Sequence, residues 1–239
     1  MGHIAHISGK VNDKIIDKVL KANPLLESFG NAKTIRNDNS SRFGKFTQLQ
    51  FNEFSKLVGS KCVTYLLEKS RVVNQNSMER NYHIFHEILA APIDVKKALK
   101  LEDKTCFDFM YCSGGDTHTN SIEGISDSER YALVMSGLQL IGISVERSRQ
   151  LLQILAGILY LGELQFIGKD GDSDKSNVDH ELTDVNENVA FLLGLSNNAM
   201  HEKVTSRNID VAGEEMVVPL TVEQAYDGRD ALAKEIYSR

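Results

Sequence analysis

The chain has 239 residues, of which 41% are hydrophobic, and it carries a formal net charge of -6. This length and apolar content predict one large domain or two small ones with a sizeable core, and they exclude a disordered or fibrous protein. The acidity is mild and dispersed, there is no cluster of Lys and Arg, and no apolar run approaches the roughly 18 residues of a membrane span, so neither nucleic acid nor a membrane is an expected partner.

The N-terminal part of the chain predicts a helix, a polar loop and a pair of strands. Apolar residues at helical spacing predict an amphipathic helix from residue 12 to about residue 27. A loop rich in Asn and Ser follows. Residues 45–52 and 60–73 are rich in β-branched and aromatic side chains, which predicts an antiparallel strand pair. A further helix is expected from residue 78 until Pro92 breaks it.

Capping residues mark two helices in the middle of the chain. Ser126 and Glu129 form a Ser-x-x-Glu capping box at the start of the first helix, which is expected to end before Gly142. Ser144 is the predicted N-cap of the second helix, which carries an apolar stripe and ends at Gly162.

The remaining residues predict a loop, more helices and a β-like segment. Residues 169–181 have the composition of an exposed loop, two short helices are expected between residues 184 and 206, and residues 209–220 are β-like. Thr221 and Gln224 form a second capping box, which opens the last helix. Helix therefore dominates with a minor sheet, and one folding unit is the simpler account.

The most distinctive segment covers residues 37–46, with the sequence Asn-Asp-Asn-Ser-Ser-Arg-Phe-Gly-Lys-Phe. It combines amides, two adjacent hydroxyls, an arginine and a glycine, which is the chemistry of a loop that binds a nucleotide phosphate and its metal ion. The segment resembles switch I of the myosin motor domain. A kinesin switch I also carries Ser-Ser-Arg, but Ser-His follows it there, whereas Phe-Gly-Lys follows it here.

Other segments resemble a myosin motor domain in the same order. Residues 12–16 and 22–34 resemble the approach helix and turn before switch I. Residues 65–73 and 79–86 are similar to a transducer strand and the following helix, and two later blocks lie at residues 154–162 and 230–234. The resemblance implies an α+β, predominantly α-helical fold, namely a partial P-loop NTPase motor head with a few strands of the central mixed sheet. The resemblance also divides the chain into three parts. They are an approach helix with switch I at residues 1–45, transducer strands at residues 46–76 and a helical upper actin-cleft subdomain at residues 77–239.

Two motifs of a myosin head do not occur in this sequence. They are the phosphate-binding loop G-x-x-x-x-G-K-[ST] and the switch II segment Asp-x-x-Gly-Phe-Glu. In the family the first lies upstream of this region and the second lies downstream. We therefore expect the chain to be an internal piece of a motor, which hydrolyses little or no ATP on its own.

The resemblance implies roles in binding Mg-ATP for the polar residues of switch I. The Ser41 hydroxyl is expected to coordinate Mg²⁺, while Asn37 and Ser40 contact phosphate oxygens and help to hold the attacking water. Arg42 is expected to pair with the switch II glutamate and close the site, so Ser40 and Arg42 are the candidate catalytic residues. Asn39 is a further predicted nucleotide contact. Such roles suit phosphoryl transfer, in which positioning and charge stabilisation carry the catalysis.

The implied partners are ATP with Mg²⁺, actin filaments and the remainder of the motor domain, in a cytoplasmic, cytoskeleton-associated myosin complex. Glu214 lies sixteen positions before Asp230, where the family carries an acidic or phosphorylatable residue in an actin-facing loop. A glutamate there would supply a permanent charge. The alternative for Glu214 and Glu215 is a solvated pair on a hairpin.

The acidic stretch after residue 169 offers a calcium site as an alternative. Four acids match positions one, three, five and twelve of an EF-hand loop: Asp170, Asp172, Asp174 and Glu181. Lys175 occupies the sixth position, where such a loop needs glycine, so a variable surface loop explains the acids better.

Two further alternatives follow from the residues. His83 and His86 are spaced as a possible pair of metal ligands on a helix, although packing imidazoles explain the spacing better. The alternative to a catalytic motor is a non-catalytic actin-interaction module derived from a motor head.

Overall fold

The fold is taken from a computed structural model that describes residues 13–54, 56–169, 172–211 and 213–239. Its helices are α1 (Asp13–Gly30), α2 (His83–Leu89), α3 (Ile93–Ala98), α4 (Met110–Ser113), α5 (Asp127–Leu140), α6 (Val145–Gly162), α7 (Thr183–Leu193), α8 (Asn197–Thr205) and α9 (Val222–Ser238). Its strands are β1 (Asn31–Thr34), β2 (Asn37–Ser41), β3 (Gly44–Phe51), β4 (Leu57–Tyr65), β5 (Ser121–Ile122), β6 (Ile125–Ser126), β7 (Phe166–Lys169), β8 (Asp172–Val178), β9 (Ser206–Val211) and β10 (Glu214–Pro219).

Side-chain caps begin the long helices of the C-terminal half where the sequence predicts them. The Ser126 hydroxyl accepts from the Glu129 N–H at the start of α5, and the Glu129 carboxylate accepts from the Ser126 N–H at 2.9 Å. Thr221 and Gln224 form the same reciprocal pair at the start of α9, and Ser144 caps α6. Each cap satisfies N–H groups that have no partner inside the helix. The predictions of α5, α6 and α9 are confirmed.

The core is centred on α2, the helix that follows the strands. Every residue of α2 is buried, and the helix contacts α1, α5 and α6. Tyr237, near the end of α9, stacks on Tyr82 with 5.0 Å between the ring centroids. The Tyr237 hydroxyl also donates to the carbonyl oxygen of Phe29 at 2.8 Å. These contacts fix the end of α9 beside the end of α1, immediately before the β1–β2 hairpin.

The strands pair differently from the expected central mixed sheet. Among the described residues they form five separate two-stranded antiparallel sheets: β1–β2, β3–β4, β5–β6, β7–β8 and β9–β10. The β3–β4 hairpin leaves large apolar side chains exposed, namely Phe46 and Val58 on the strands and Phe54 in the turn between them. The fold is thus one of helices with small sheets, and its P-loop NTPase character and its division into subdomains stay predictions.

Two element boundaries around the β3–β4 pair differ from those predicted from the sequence. The antiparallel pairing of β3 with β4 is confirmed, but β4 covers Leu57–Tyr65 rather than residues 60–73. Leu66 adopts a left-handed backbone conformation with φ of 56°, which no strand can continue, and Lys69–Val72 forms a 3-10 turn. The helix expected from residue 78 begins at His83.

The prediction of an exposed loop at residues 169–181 is wrong, because most of this region belongs to the β7–β8 hairpin. Phe166 and Val178 lie opposite each other at the base of the hairpin, and both are buried in the core. Asp170 lies outside the described residues. The strand β8 differs from the coiled backbone of an EF-hand loop, and the described residues contain no group of three His, Cys, Asp or Glu side chains that could hold a metal ion.

The described helices include no candidate membrane span. None of them is both long enough and apolar enough to cross a bilayer.

Candidate functional site

The polar residues from Asn37 to Ser41 form strand β2, so the prediction of a loop here is wrong. The strand pairs with β1, with Ser41 opposite Asn31. The N–H of Arg42 then donates to the carbonyl oxygen of Gly30, the last residue of α1, at 2.8 Å. Polar side chains are typical of a turn, but here backbone pairing with the segment directly after α1 fixes the conformation.

The end of β2 carries two hydroxyls on opposite faces of the strand, and one of them contacts a guanidinium. Ser41 and Asn37 are exposed, and Ser40 is half-buried. Arg42 Nη1 donates to Ser40 Oγ at 3.4 Å. The amide oxygen of Asn37 accepts from the Asn39 N–H at 2.9 Å and so stabilises the strand itself. Hydroxyl oxygens can bind a hard metal ion and a guanidinium can bind anionic oxygens, so this segment has suitable groups for both.

Arg42 begins a chain of alternating charges that supports the β1–β2 hairpin. Arg42 Nε donates to Glu68 Oε2 at 2.6 Å, and Arg71 Nε donates to the same oxygen at 2.7 Å. Arg71 Nη1 donates to Glu79 Oε2 at 2.9 Å. The other Glu79 oxygen accepts from the N–H of Ile35 at 3.4 Å, in the turn between β1 and β2. The chain of ion pairs therefore begins and ends on the same hairpin.

These ion pairs keep both carboxylates charged. Burial raises the pKa of Glu68, but hydrogen bonds from Arg42 and Arg71 outweigh burial and hold the pKa below its usual value. Burial also raises the pKa of Glu79, and the hydrogen bonds from Arg71 and the Ile35 N–H again produce a net lowering. The switch II glutamate expected to pair with Arg42 is absent from the sequence, and Glu68 pairs with its guanidinium here.

Asn39 differs from its neighbours because its side chain is held by groups of the protein body. Its amide oxygen lies 2.9 Å from Asn31 Nδ2 and 3.2 Å from His83 Nε2. Its amide nitrogen donates to Glu27 Oε2 at 3.2 Å and to Glu123 Oε2 at 3.0 Å. An amide has two donor positions and two acceptor positions, so all four are filled. The contact between Asn39 and the nucleotide stays a prediction. The four filled hydrogen-bond positions of the Asn39 amide argue against it.

Comparison with known proteins identifies the family of this chain. The myosin head (motor domain) family matches residues 1–239. The chain belongs to the myosin head family. It is 38% identical over 249 residues to the myosin ID heavy chain of Dictyostelium discoideum, which covers 100% of this chain and 22% of that protein. It is 39% identical over 241 residues to unconventional myosin-Va of Homo sapiens, which covers 100% of this chain and 13% of that protein.

A plant relative shows similar coverage. Myosin-1 of Arabidopsis thaliana is 40% identical over 221 residues, which cover 92% of this chain and 18% of that protein. The chain therefore spans between 13% and 22% of the length of these three myosins.

The sequence of this myosin segment predicts the polar residues of β2 as site residues, but it gives no indication of the groups that support the strand. Glu68 and Arg71 lie in a stretch that resembles the transducer, yet the pairing of Glu68 with Arg42 depends on a contact across 26 residues of chain. Asp116 forms a second support, since Lys33 Nζ on β1 reaches its Oδ2 at 2.6 Å. The sequence around an Arg or Lys residue gives no signal for ion-pair partners that lie so far along the chain.

Gly115 lets the loop around Asp116 approach the backbone of Glu79 closely. The N–H of Asp116 donates to the carbonyl oxygen of Glu79 at 2.7 Å. A Cβ atom on Gly115 would lie 2.3 Å from that same oxygen, whereas one on the neighbouring Gly114 would meet nothing closer than Gln75 Nε2 at 3.9 Å. The backbone therefore has room for a side chain at Gly114 but not at Gly115.

We expect Gly115→Ala to lower the free energy of unfolding by about 1–3 kcal/mol, because the clash is with backbone and the loop must move off Glu79. Gly114→Ala is the matched control, since its added methyl makes only ordinary contacts. Chemical denaturation followed by circular dichroism measures both. Equal stability of the two variants would contradict the close approach.

Glu214 lies at the other end of the described chain, on the β9–β10 hairpin. It is exposed and faces Val211 in the register, and Met216 and Val217 on the same strand are exposed as well. The β-like segment predicted at residues 209–220 is confirmed as this hairpin, with residue 212 outside the described residues. An exposed acid beside exposed apolar side chains is a surface able to bind another protein.

The predicted histidine pair is explained by separate hydrogen bonds. His83 Nε2 contacts Asn39, and His86 Nε2 lies 2.8 Å from the amide oxygen of Asn81. Both rings are buried, so they are packed and hydrogen-bonded within the core.

Proposed function

We propose that this chain works as part of an actin-based motor that binds Mg-ATP and couples its hydrolysis to movement along actin filaments. The observation that carries the proposal is the end of β2, where Ser41 is exposed and the preceding Ser40 hydroxyl accepts from Arg42 Nη1 at 3.4 Å. Membership of the myosin head family supports it. The parent protein would be cytoplasmic and associated with the cytoskeleton.

The proposed roles follow from the chemistry of each side chain. Ser41 would offer a hard oxygen ligand to Mg²⁺, and the ion would neutralise charge on the phosphates. Asn37 and Ser40 would contact phosphate oxygens. Arg42 would pair with the switch II glutamate of the remainder of the motor domain and close the site, and in this structure its guanidinium pairs with Glu68 at 2.6 Å. Fixed groups of this kind stabilise a transition state without reorganising.

The actin-facing part of the proposal concerns the β9–β10 hairpin. Glu214 and the exposed apolar residues after it would form part of the surface that binds actin. The following helix α9 leads from this hairpin to Tyr237, which packs beside the end of α1. The remainder of the motor domain is the third proposed partner, and it would supply the phosphate loop and switch II, whose motifs the sequence lacks.

Replacing Ser41 tests the proposal in a complete heavy chain that contains this segment. We expect Ser41→Ala to reduce actin-stimulated MgATP turnover by at least about tenfold, because a metal ligand is removed. Ser41→Thr keeps the hydroxyl on a residue that suits a strand, so most of the turnover should remain.

Two results of this experiment would overturn the proposal. One is full turnover by the Ser41→Ala protein. The other is a wild-type heavy chain that binds actin filaments with an affinity that ATP does not change, which would favour the non-catalytic interaction module. The 239-residue chain alone should show no stimulated turnover.

A further inference from the structure

We propose that His83 is a positioning residue for the nucleotide-facing strand β2, and that it acts by donating a hydrogen bond to the side chain of Asn39. The inference rests on the proposed function and adds a residue from outside the switch I segment to it. His83 is the first residue of α2 and lies 44 positions from Asn39 in sequence, with Nε2 3.2 Å from the Asn39 amide oxygen.

The orientation of the Asn39 amide is fixed by two carboxylates. Glu27 and Glu123 both lie within hydrogen-bonding distance of the same Asn39 atom, at 3.2 and 3.0 Å. Carboxylates accept and do not donate when ionised, so this atom must be the NH2 group. The Asn39 oxygen therefore faces His83, and His83 must carry its proton on Nε2.

The His83 ring is suited to one fixed donor role. It is fully buried, and burial, followed by the nearby charges of Arg80 and Arg130, lowers its pKa to about 3. The ring is therefore neutral at physiological pH. Its Nδ1 atom has no hydrogen-bond partner among the described residues, so the contact with Asn39 is the polar interaction that orients the ring.

Three elements of the protein body meet at Asn39 and limit how β2 can move. Glu27 belongs to α1, His83 belongs to α2, and Glu123 lies in the turn between β5 and β6. The residues that follow directly, Ser40 and Ser41, carry the hydroxyls proposed to contact the nucleotide. A displacement of about 1 Å at reacting groups can reduce turnover by about a hundredfold, so loss of one anchor should affect the rate more than nucleotide binding.

His86 provides a matched control for a buried histidine with a purely structural role. It lies one turn further along α2, it is buried, and its pKa is lowered by burial and then by Arg80. Its hydrogen bond goes to Asn81, whose amide nitrogen donates to the carbonyl oxygen of Tyr111. Neither contact involves β2.

The test compares four variants of a complete heavy chain that contains this segment. We expect His83→Leu and Asn39→Ala to lower kcat for actin-stimulated ATP turnover by about tenfold to a hundredfold, with KM for ATP changed less than about threefold. His83→Gln can still donate through its amide and should recover most of the kcat. His86→Leu should lose thermal stability but keep kcat per folded molecule.

Amide hydrogen exchange of residues 37–42 gives a second measurement that needs no nucleotide. Exchange in this segment should be faster in His83→Leu than in wild type, and unchanged in His86→Leu. If the wild-type heavy chain shows no ATP turnover, the proposed function fails, while the exchange result still decides the role of His83.

Three results would overturn the assignment of His83. The first is an equal loss of kcat in His83→Leu and His86→Leu, and the second is a His83→Gln protein no more active than His83→Leu. The third is exchange at residues 37–42 that is the same in His83→Leu as in wild type.

Discussion

Asp127→Ala is expected to lower the free energy of unfolding by about 3–5 kcal/mol, because it leaves a buried positive charge without its partner. Arg80 is fully buried, and its Nη2 lies 2.9 Å from Asp127 Oδ1. Asp127 is also the first residue of α5, where a negative charge interacts favourably with the helix dipole. Both contributions are lost together.

An exposed ion pair of similar length is the control for this prediction. Lys97 Nζ lies 3.0 Å from Glu102 Oε1, but both side chains are about half exposed, so solvent screens the pair. Glu102→Ala should leave the urea midpoint within error of wild type. If Asp127→Ala and Glu102→Ala shift the midpoint equally, burial does not set the strength of the Arg80 ion pair.

The helices could be predicted from the sequence where their ends are determined locally. The capping boxes at Ser126 and Thr221 involve residues three positions apart, so the sequence displays both partners side by side. Gly142 follows α5 with φ of 93°, a conformation that glycine adopts without strain. Such signals need no knowledge of the tertiary structure.

The polar hairpins could not be predicted in the same way. Strand β2 consists of Asn, Asp and Ser residues, and β8 is rich in the same three types, which favour turns when they are considered alone. Pairing with β1 and with β7 overrides this preference, because backbone hydrogen bonds form whatever the side chains are. A sequence pattern based on apolar alternation does not detect such strands.

The site shows the same division between local and distant information. The accessible residues of switch I are contiguous in sequence, so the resemblance found them together. The direction of the Asn39 side chain depends on Glu123, which lies 84 positions away, and the pairing of Arg42 depends on Glu68. Distant contacts decide which polar residues face a ligand and which support the strand.

Glu87→Gln is expected to change how the stability of the chain depends on pH. Glu87 is fully buried in α2, accepts from the Ser28 hydroxyl at 2.8 Å, and lies 3.5 Å from Arg130 Nε. Burial raises its pKa to about 7, although Ser28 and Arg130 act in the opposite direction. The ordinary value for glutamate is near 4.5. Between these two pH values the folded state keeps a proton that the unfolded state has released.

The sign of the effect follows from this difference in bound protons. Wild-type stability contributed by Glu87 is fully present below about pH 4.5 and is lost as the pH rises to about 7. A shift of this size corresponds to roughly 3 kcal/mol. Glutamine has no proton to lose, so the stability of Glu87→Gln relative to wild type should increase by that amount as the pH rises through this window.

The difference between the two proteins must be measured, because buried histidines act in the opposite direction. Burial lowers the pKa of His83 and His86, so the unfolded state gains protons at these rings as the pH falls below about 6.5, which destabilises the fold. Both histidines are present in wild type and in Glu87→Gln, so their contribution cancels in the difference. Glu202→Gln, at an exposed position of α8, should reproduce the wild-type profile. Parallel stability profiles of wild type and Glu87→Gln between pH 5 and 8 would show that Glu87 stays ionised in the core, held by Arg130 more strongly than burial opposes it.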